Sequence, residues 1–206
     1  MVFTRLGDRV TVRPASSDRL SITGRFADGL ATGPDNLVIR ARDAFREAVG
    51  VRCCGPVAMF LEKQLPVAAG IGGGSADAAA ALRALARLWQ ADLSDPVPET
   101  LAPRLGADVP MCLSACPVLA SGTGEMLRPV GGMPELSLVL ANPGVPWSTP
   151  EVFGALLHRD SAPLPELGRR PDRPVTSSSR DAANRKSVTW SSTSRKAMAG
   201  CASSTG

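Results

Sequence analysis

The stretch 66-PVAAGIGGGSADA-78 decides the expected fold, because it places four glycines within five positions between a predicted strand and a predicted helix. Glycine loses more backbone entropy on folding than any other residue, so such a cluster is costly unless positive φ angles or a close backbone approach are required. The unpaired N–H groups and the dipole at the start of a helix favour a bound anion. The stretch therefore predicts a phosphate-binding loop, in which Ser75 either caps the helix or directs its hydroxyl to a phosphate or a metal ion.

A flexible glycine turn before a core helix is the alternative interpretation of this loop. The loop is not a Walker A sequence, because no Gly-Lys-Ser or Gly-Lys-Thr ends it. The dinucleotide-binding fingerprint is also disfavoured, because the sequence predicts no parallel βαβ unit around the loop.

The periodicity on both sides of the loop predicts an α+β fold. Alternating polar and β-branched residues indicate that the first two strands belong to an antiparallel sheet with one solvated face. The turn 33–36 opens the first helix, and Gly50 ends it. The expected strands are 8–14, 20–23, 56–65, 117–120 and 136–141, and the expected helices are 37–49, 75–90, 98–105 and 150–158.

The last part of the chain has a different composition. Thirteen of the 32 residues from 175 to 206 are Ser or Thr, and few are apolar. Such a segment buries too little apolar surface to offset the loss of backbone entropy, so we expect disorder. The abrupt loss of periodicity also suggests a shifted reading frame. We therefore divide the chain into an amino-terminal domain over 1–160 and a linker with a low-complexity tail over 161–206.

The charge and hydropathy of the sequence limit which partners and which cellular location we expect. The five basic residues and one acidic residue of segment 175–206 account for the net charge of +4, so residues 1–174 are balanced. A balanced body lacks the basic surface that binds nucleic acid nonspecifically, and we expect no nucleic-acid partner. No signal peptide or membrane-spanning run is recognisable, so we expect a cytoplasmic protein without a membrane partner.

The five cysteines predict buried thiols and no metal site. They form no CxxC pair, and the single histidine, His158, lies far from Cys112 and Cys116 in the sequence. A structural metal site needs further ligands that converge on such a pair.

The glycine stretch resembles the ATP loop of the GHMP kinases, in particular the branch that acts on a cytidine-diphosphate-linked methylerythritol. Its triple glycine is followed by Ser75 and then by Asp77. Segments similar to other parts of that family follow in the family's order over residues 2–153. They are GPDNLV at 33–38, GADVP at 106–110, GTGE at 122–125 and PGVPWST at 143–149.

This resemblance implies a GHMP-kinase N-terminal domain, similar to domain 2 of ribosomal protein S5, that uses ATP and Mg²⁺. The activity it implies is phosphorylation of the 2-hydroxyl of the methylerythritol substrate, a step of non-mevalonate isoprenoid synthesis. The segment 106–110 resembles the family's catalytic-acid segment, and this resemblance implies that Asp108 is the catalytic residue. The implied ATP-binding residues are Pro66, Val67, Ala68, Ala69, Gly70, Ile71, Gly72, Gly73, Gly74, Ser75 and Ala76.

The residues around Asp108 support two interpretations on their own. The carboxylate stands in an apolar context, where it is costly unless it is hydrogen-bonded or functional. It either caps a turn or bonds backbone N–H groups, or it has the role that the resemblance implies, as a general base or as the group that orients the substrate hydroxyl. Lys63 is predicted to be a solvated residue on a strand, and Asp77 to interact with the helix dipole.

The chain also departs from the family. Members carry an earlier strand with a Lys and an Asn, a Gly-Tyr-His turn, and a carboxy-terminal domain, so we expect a chain that is incomplete at both ends. Ala76 stands where Ser is usual. Two alternatives therefore remain: another GHMP small-molecule kinase, acting on homoserine, mevalonate or a sugar, and a non-catalytic nucleotide-binding fragment.

Overall fold

The computed structural model describes residues 1–50, 54–91, 100–122, 124–133, 136–142, 144–145 and 149–156. Several predicted features lie outside these residues, so their predictions stay open. They are the tail over 161–206, His158, Cys53, Cys201, Thr123, Pro143 and Ser148.

The described chain contains five strands and five helices, which confirms the α+β class. Most bounds agree with the expected periodicity to within a few residues. The strands are β1 (Arg9–Pro14), β2 (Arg19–Thr23), β3 (Val57–Glu62), β4 (Val118–Ser121) and β5 (Met126–Pro129), and the helices are α1 (Leu37–Val49), α2 (Gly73–Trp89), α3 (Ala102–Leu105), α4 (Val109–Ser114) and α5 (Thr149–Gly154).

The main sheet is mixed, and the prediction of an antiparallel sheet is wrong for one strand pair. Its order is β1-β3-β2, with β1 antiparallel and β2 parallel to β3. A parallel pair needs a crossover connection, and α1 supplies it between β2 and β3. This β2-α1-β3 unit precedes the glycine loop, so the loop does not lie in its crossover. A parallel βαβ unit is thus present, contrary to the expectation. The glycine loop still differs from the dinucleotide-binding fingerprint, because it does not connect the strand and the helix of that unit.

Helix α1 begins and ends at the residues that the sequence indicates. Asn36 is its N-cap, and the side-chain Oδ1 accepts a hydrogen bond of 2.9 Å from the backbone N–H of Val38. At the other end, Gly50 has a φ of 99° and donates its N–H to the carbonyl of Arg46. These two caps satisfy backbone groups that the helix leaves unpaired, which is why the local sequence specified the helix bounds.

The core lies between the sheet and the helices. Alternate residues of β3 (Val57, Met59 and Leu61) face α1 and α2 and are at most 2% exposed. Alanines of α2 allow close packing against α1, where Phe45 is fully buried and stacks on Trp89 with ring centroids 6.0 Å apart. The packing holds α2 firmly, so its amino terminus has a fixed position on the surface.

The prediction of a strand over residues 136–141 is wrong. The segment has no regular structure, and Val139 is 94% exposed. An alternating sequence forms a strand only when another strand accepts its hydrogen bonds, and no strand of the described chain pairs with it. Conversely, two elements were not expected from the sequence: β5, which pairs with β4 antiparallel, and α4.

Candidate functional site

The glycine loop leaves β3 and lies on the surface of the molecule. Ala68, Gly70 and Gly72 have φ angles of 52°, 68° and 69°. Left-handed conformation is readily accessible to glycine, so two of these three positions match the residue type that the backbone requires. Val67, Ala68, Gly70 and Gly74 are exposed. The backbone of the loop is therefore accessible to a ligand and is not buried against the core.

Helix α2 begins at Gly73, two residues before the expected start. Its N-cap, Gly72, is left-handed, and no side chain caps the helix in the described part of the chain. The first intrahelical bond runs from the N–H of Ala76 to the carbonyl of Gly72, at 3.0 Å. The N–H groups of the first turn thus have no intrahelical acceptor, and they stand at the positive end of a 17-residue helix. Ser75 lies within this turn and is not the cap, which leaves its hydroxyl for other contacts.

Close packing favours a glycine at the second position of the helix. A Cβ on Gly74 would lie 3.2 Å from Cδ1 of Leu37, the first residue of α1. The starts of α1 and α2 therefore meet. This contact brings the predicted turn 33–36, which leads into α1, close to the glycine loop.

Asp108 lies in the same region, because the segment before it lies beside Ser75. A Cβ on Gly106 would lie 3.7 Å from the Ser75 hydroxyl oxygen, so the segment that leads into Asp108 passes beside the first turn of α2. Helices α2 and α4 pack together, and Arg83 of α2 donates to the carbonyl of Cys112 at 3.1 Å. These contacts fix the position of α4, and with it that of Asp108.

The side chain of Asp108 does not cap α4. The residue stands at the N-cap position, but its carboxylate makes no capping hydrogen bond. The carboxyl group is half-buried, and burial raises its pKa above the usual value. Asp108 therefore does not cap its own helix, and a carboxylate without a structural bond to that helix is available for chemistry.

The turn between β4 and β5 completes the arrangement. A Cβ on Gly124 would lie 3.4 Å from the carbonyl oxygen of Ala107. Three segments that the sequence singled out, 66–78, 106–110 and 122–125, thus form a continuous chain of contacts. They are far apart in the sequence, and only the tertiary structure joins them.

Residues 36–115 match the family model described as "GHMP kinases N terminal domain". The chain is therefore similar to this domain over that part of its sequence. The match includes α1, the glycine loop, α2 and Asp108, so it covers the elements that build the site.

Several curated proteins similar to this chain have the same name, "4-diphosphocytidyl-2-C-methyl-D-erythritol kinase". The protein from Mesorhizobium japonicum is 50% identical over 171 residues, which are 83% of this chain and 58% of the relative. The protein from Rhizobium etli is 52% identical over 165 residues, 80% of this chain and 56% of the relative. The chain therefore spans somewhat more than half the length of these relatives.

A solved structure agrees with this similarity. The crystal structure of a 4-(cytidine 5'-diphospho)-2C-methyl-D-erythritol kinase matches with a TM-score of 0.55 and 36% identity over 76% of this chain and 53% of that one. In the part of the chain that the structure describes, no helix has the length and apolarity needed to cross a bilayer.

A buried ionic cluster next to the loop was not expected from the sequence, and the prediction that Lys63 is solvated is wrong. Lys63 is 4% exposed, and its ammonium donates to Oδ2 of Asp8 and, at 2.9 Å, to Oδ2 of Asp77. Asp77 is also 4% exposed. It follows the first turn of α2, and its carboxyl group turns toward Lys63 in the interior.

The cluster contains two carboxyl groups and one ammonium, and the pKa values of Asp77 and Lys63 are both shifted. Burial raises the pKa of Asp77 to about 7, and nearby Asp8 adds to the effect, while Lys63 opposes it. Burial lowers the pKa of Lys63, but the two carboxylates outweigh burial and hold that pKa above its usual value. Lys63 is thus a cation at neutral pH, and Asp77 can take up a proton near pH 7.

The hydropathy pattern of the sequence did not indicate this cluster. Lys63 follows the last residue of β3, where the alternation of faces no longer predicts exposure. A lysine directly before a glycine loop and an aspartate directly after it were the available signal, but Asp8 could be joined to them only through the pairing of β1 with β3.

The described cysteines do not form a metal centre. Cys54 and Cys112 are buried, and Cys116 is partly buried. Among the described residues, no three His, Cys, Asp or Glu side chains come close enough to hold a metal ion.

Proposed function

We propose that this domain binds ATP at residues 66–76 and transfers its γ-phosphoryl group to the 2-hydroxyl of 4-diphosphocytidyl-2-C-methyl-D-erythritol. The observation that carries the proposal is the uncapped amino terminus of α2 beside the segment of Asp108. Phosphoryl transfer requires bound phosphates and an oriented hydroxyl, and these two elements supply both. The names of the relatives support the choice of substrate.

The backbone amides of the loop and of the first turn of α2 are suited to the phosphates of ATP. They are donors with a fixed direction, and the helix dipole adds positive potential at the same point. The hydroxyl of Ser75 is one further donor in this turn. The exposed backbone at Gly70 and Gly74 leaves room for a charged ligand to approach.

Asp108 orients the substrate hydroxyl and accepts its proton. The hydroxyl oxygen forms a bond to the γ-phosphorus while the bond from that phosphorus to the β-phosphate oxygen breaks, which releases ADP. Burial raises the pKa of Asp108 above its usual value, which makes its carboxylate a stronger base. Mg²⁺ neutralises phosphate charge when it is bound, and we expect it to enter together with ATP, because no side-chain cluster of the described residues fits it.

A charge placed in the loop tests the ATP site directly. Gly70 has a φ of 68°, which strains any side chain, but the space that a Cβ would occupy is open and Asp and Asn both tolerate this conformation, so the two variants carry a similar strain. Isothermal titration with Mg·ATP compares Gly70→Asp with Gly70→Asn, which has the same shape and no charge. We expect the Asp variant to bind ATP at least about tenfold more weakly than the Asn variant. Equal affinities would contradict the placement of the phosphates.

Turnover tests Asp108 and the choice of substrate. ADP release is measured with the cytidine-linked substrate for the wild type, Asp108→Asn and the control Asp28→Asn, whose carboxyl group is exposed. We expect a loss of about 10²- to 10⁴-fold in kcat for Asp108→Asn alone, with unchanged ATP affinity. Wild-type ATP binding without turnover would leave the domain as a nucleotide-binding fragment. Equal turnover in the wild type and Asp108→Asn would remove Asp108 from the mechanism.

A further inference from the structure

The ionic cluster joins the two ends of the glycine loop. Lys63 stands just before the loop and Asp77 just after it, and the ammonium of Lys63 contacts the carboxylate of Asp77 at 2.9 Å. Asp8, the residue before β1, binds the same ammonium through Oδ2. Its other oxygen accepts from the backbone N–H groups of Gln64 and Leu65 at 2.6 and 2.9 Å.

We propose that Asp8, Lys63 and Asp77 are positioning residues that hold the glycine loop in its phosphate-binding shape. We name these three residues the loop clamp. The proposal rests on the proposed function of the loop, and it extends that function to residues that do not themselves contact ATP.

The cost of ordering the loop is the first argument. A chain with glycines at four of five positions samples many conformations, and binding a ligand with a mobile loop spends part of the binding free energy on ordering it. A bridge between the entrance and the exit of the loop removes much of this freedom before ATP arrives. The amides then face the ligand without rearrangement.

The position and burial of the clamp are the second argument. The side chains of Asp8, Lys63 and Asp77 are 1%, 5% and 5% exposed. A Cβ on Gly73 would lie 3.7 Å from the Lys63 ammonium and 3.8 Å from Oδ2 of Asp8, so the cluster lies directly beneath the first residue of α2. Buried ion pairs are seldom the most stable choice for a core, and a role in fixing one conformation explains their presence at this point.

The backbone of Lys63 is itself fixed. Its N–H donates to the carbonyl of Thr23 at 2.7 Å, and its carbonyl accepts from Phe26 at 3.3 Å. Gly24 packs against the same peptide so closely that a Cβ there would collide with the Lys63 carbonyl oxygen. The clamp is thus anchored to the end of β2, and it transmits the rigidity of the sheet to the loop.

A matched pair of variants separates positioning from stability. Asp77→Ala removes one arm of the clamp. Asp18→Ala removes a carboxylate that accepts from Arg46 at 2.6 Å and from the N–H of Val57 at 2.8 Å, contacts made outside the loop. We expect both variants to melt at a lower temperature. Only Asp77→Ala is expected to raise the Kd and KM for ATP, by about tenfold, with a kcat within about threefold of the wild type.

A variant that preserves the contact between residue 77 and Lys63 gives a second comparison. Asp77→Asn keeps an oxygen that accepts from Lys63, so we expect its ATP affinity to remain within about threefold of the wild type. Should Asp77→Ala not fold, Asp77→Ser takes its place, because the shorter hydroxyl does not reach the ammonium. Equal ATP affinities in the Ala or Ser variant and the wild type would overturn the proposal.

Hydrogen exchange measured without nucleotide tests the loop clamp independently of ATP binding. We expect the first hydrogen-bonded amides of α2, those of residues 76–79, to exchange at least about tenfold faster in Asp77→Ala than in the wild type, and to be unchanged in Asp18→Ala. If the wild type does not bind ATP but these amides show this pattern, the clamp stands and the proposed function fails. If ATP binds and neither exchange nor affinity responds to Asp77→Ala, the clamp fails and the proposed function stands.

Discussion

Replacing Asp77 by Asn is expected to change how the stability of the domain depends on pH. In the native state the pKa of Asp77 is raised to about 7 from an ordinary value of 3.8, chiefly by burial. The folded protein therefore holds more protons than the unfolded chain between these two values. It follows that the free energy of unfolding contributed by Asp77 is fully present at low pH and is lost as the pH rises through 7.

The magnitude follows from the two pKa values. Between pH 5 and pH 8 the Asp77 contribution falls by about 3 kcal/mol, at about 1.36 kcal/mol for each pKa unit. Local rearrangement around the ionised carboxyl group recovers part of this cost, so we expect a fall of about 1–3 kcal/mol. Lys63 stays charged over this range because its pKa is raised, and Asp18 stays ionised because Arg46 lowers its pKa to about 2.

Urea denaturation at pH 5 and pH 8 measures this effect. Asp77→Asn keeps the shape of the side chain and removes the titration, so its loss of stability between the two pH values should be smaller than that of the wild type by about 1–3 kcal/mol. Asp28→Asn, at an exposed position, is the matched control. We expect the control Asp28→Asn to lose as much stability between the two pH values as the wild type. The reasoning would be refuted if Asp77→Asn also lost as much as the wild type.

Two further substitutions test the core and the entry to α1. Leu85→Ala removes a fully buried side chain of α2, and we expect the free energy of unfolding to fall by about 2–5 kcal/mol in urea denaturation; a loss below about 1 kcal/mol would contradict the described packing. Asn36→Ala removes the side-chain acceptor for the Val38 N–H and should cost about 1 kcal/mol in the same assay, whereas Asn36→Asp should cost less because it preserves the cap. Equal losses in the two Asn36 variants would show that the cap does not stabilise α1.

Elements that depend on local contacts could be predicted from the sequence. The bounds of α1 follow from the cap at Asn36 and the left-handed Gly50, and both signals are visible in the residues themselves. Helix α2 was predicted from its alanines, although it begins two residues early because Gly73 and Gly74 continue the helix. The loop between β3 and α2 was predictable for the same reason, since glycine marks where the backbone needs left-handed conformations.

Contacts between distant segments could not be predicted in the same way. The parallel pairing of β2 with β3 depends on the path of α1 over the sheet, and an alternating pattern does not specify strand direction. The segment 136–141 shows the converse, because its pattern fits a strand for which the described chain provides no partner.

The sequence by itself determined where the domain has a glycine loop and which helix follows it, and it singled out Asp108 as the candidate catalytic carboxylate. Only the tertiary structure decided that Lys63 is buried and that it joins Asp8 to Asp77. The physical reason is that a charge is buried only when partners from other elements compensate it. Those partners are brought together by the sheet, so hydropathy along the chain could not reveal them.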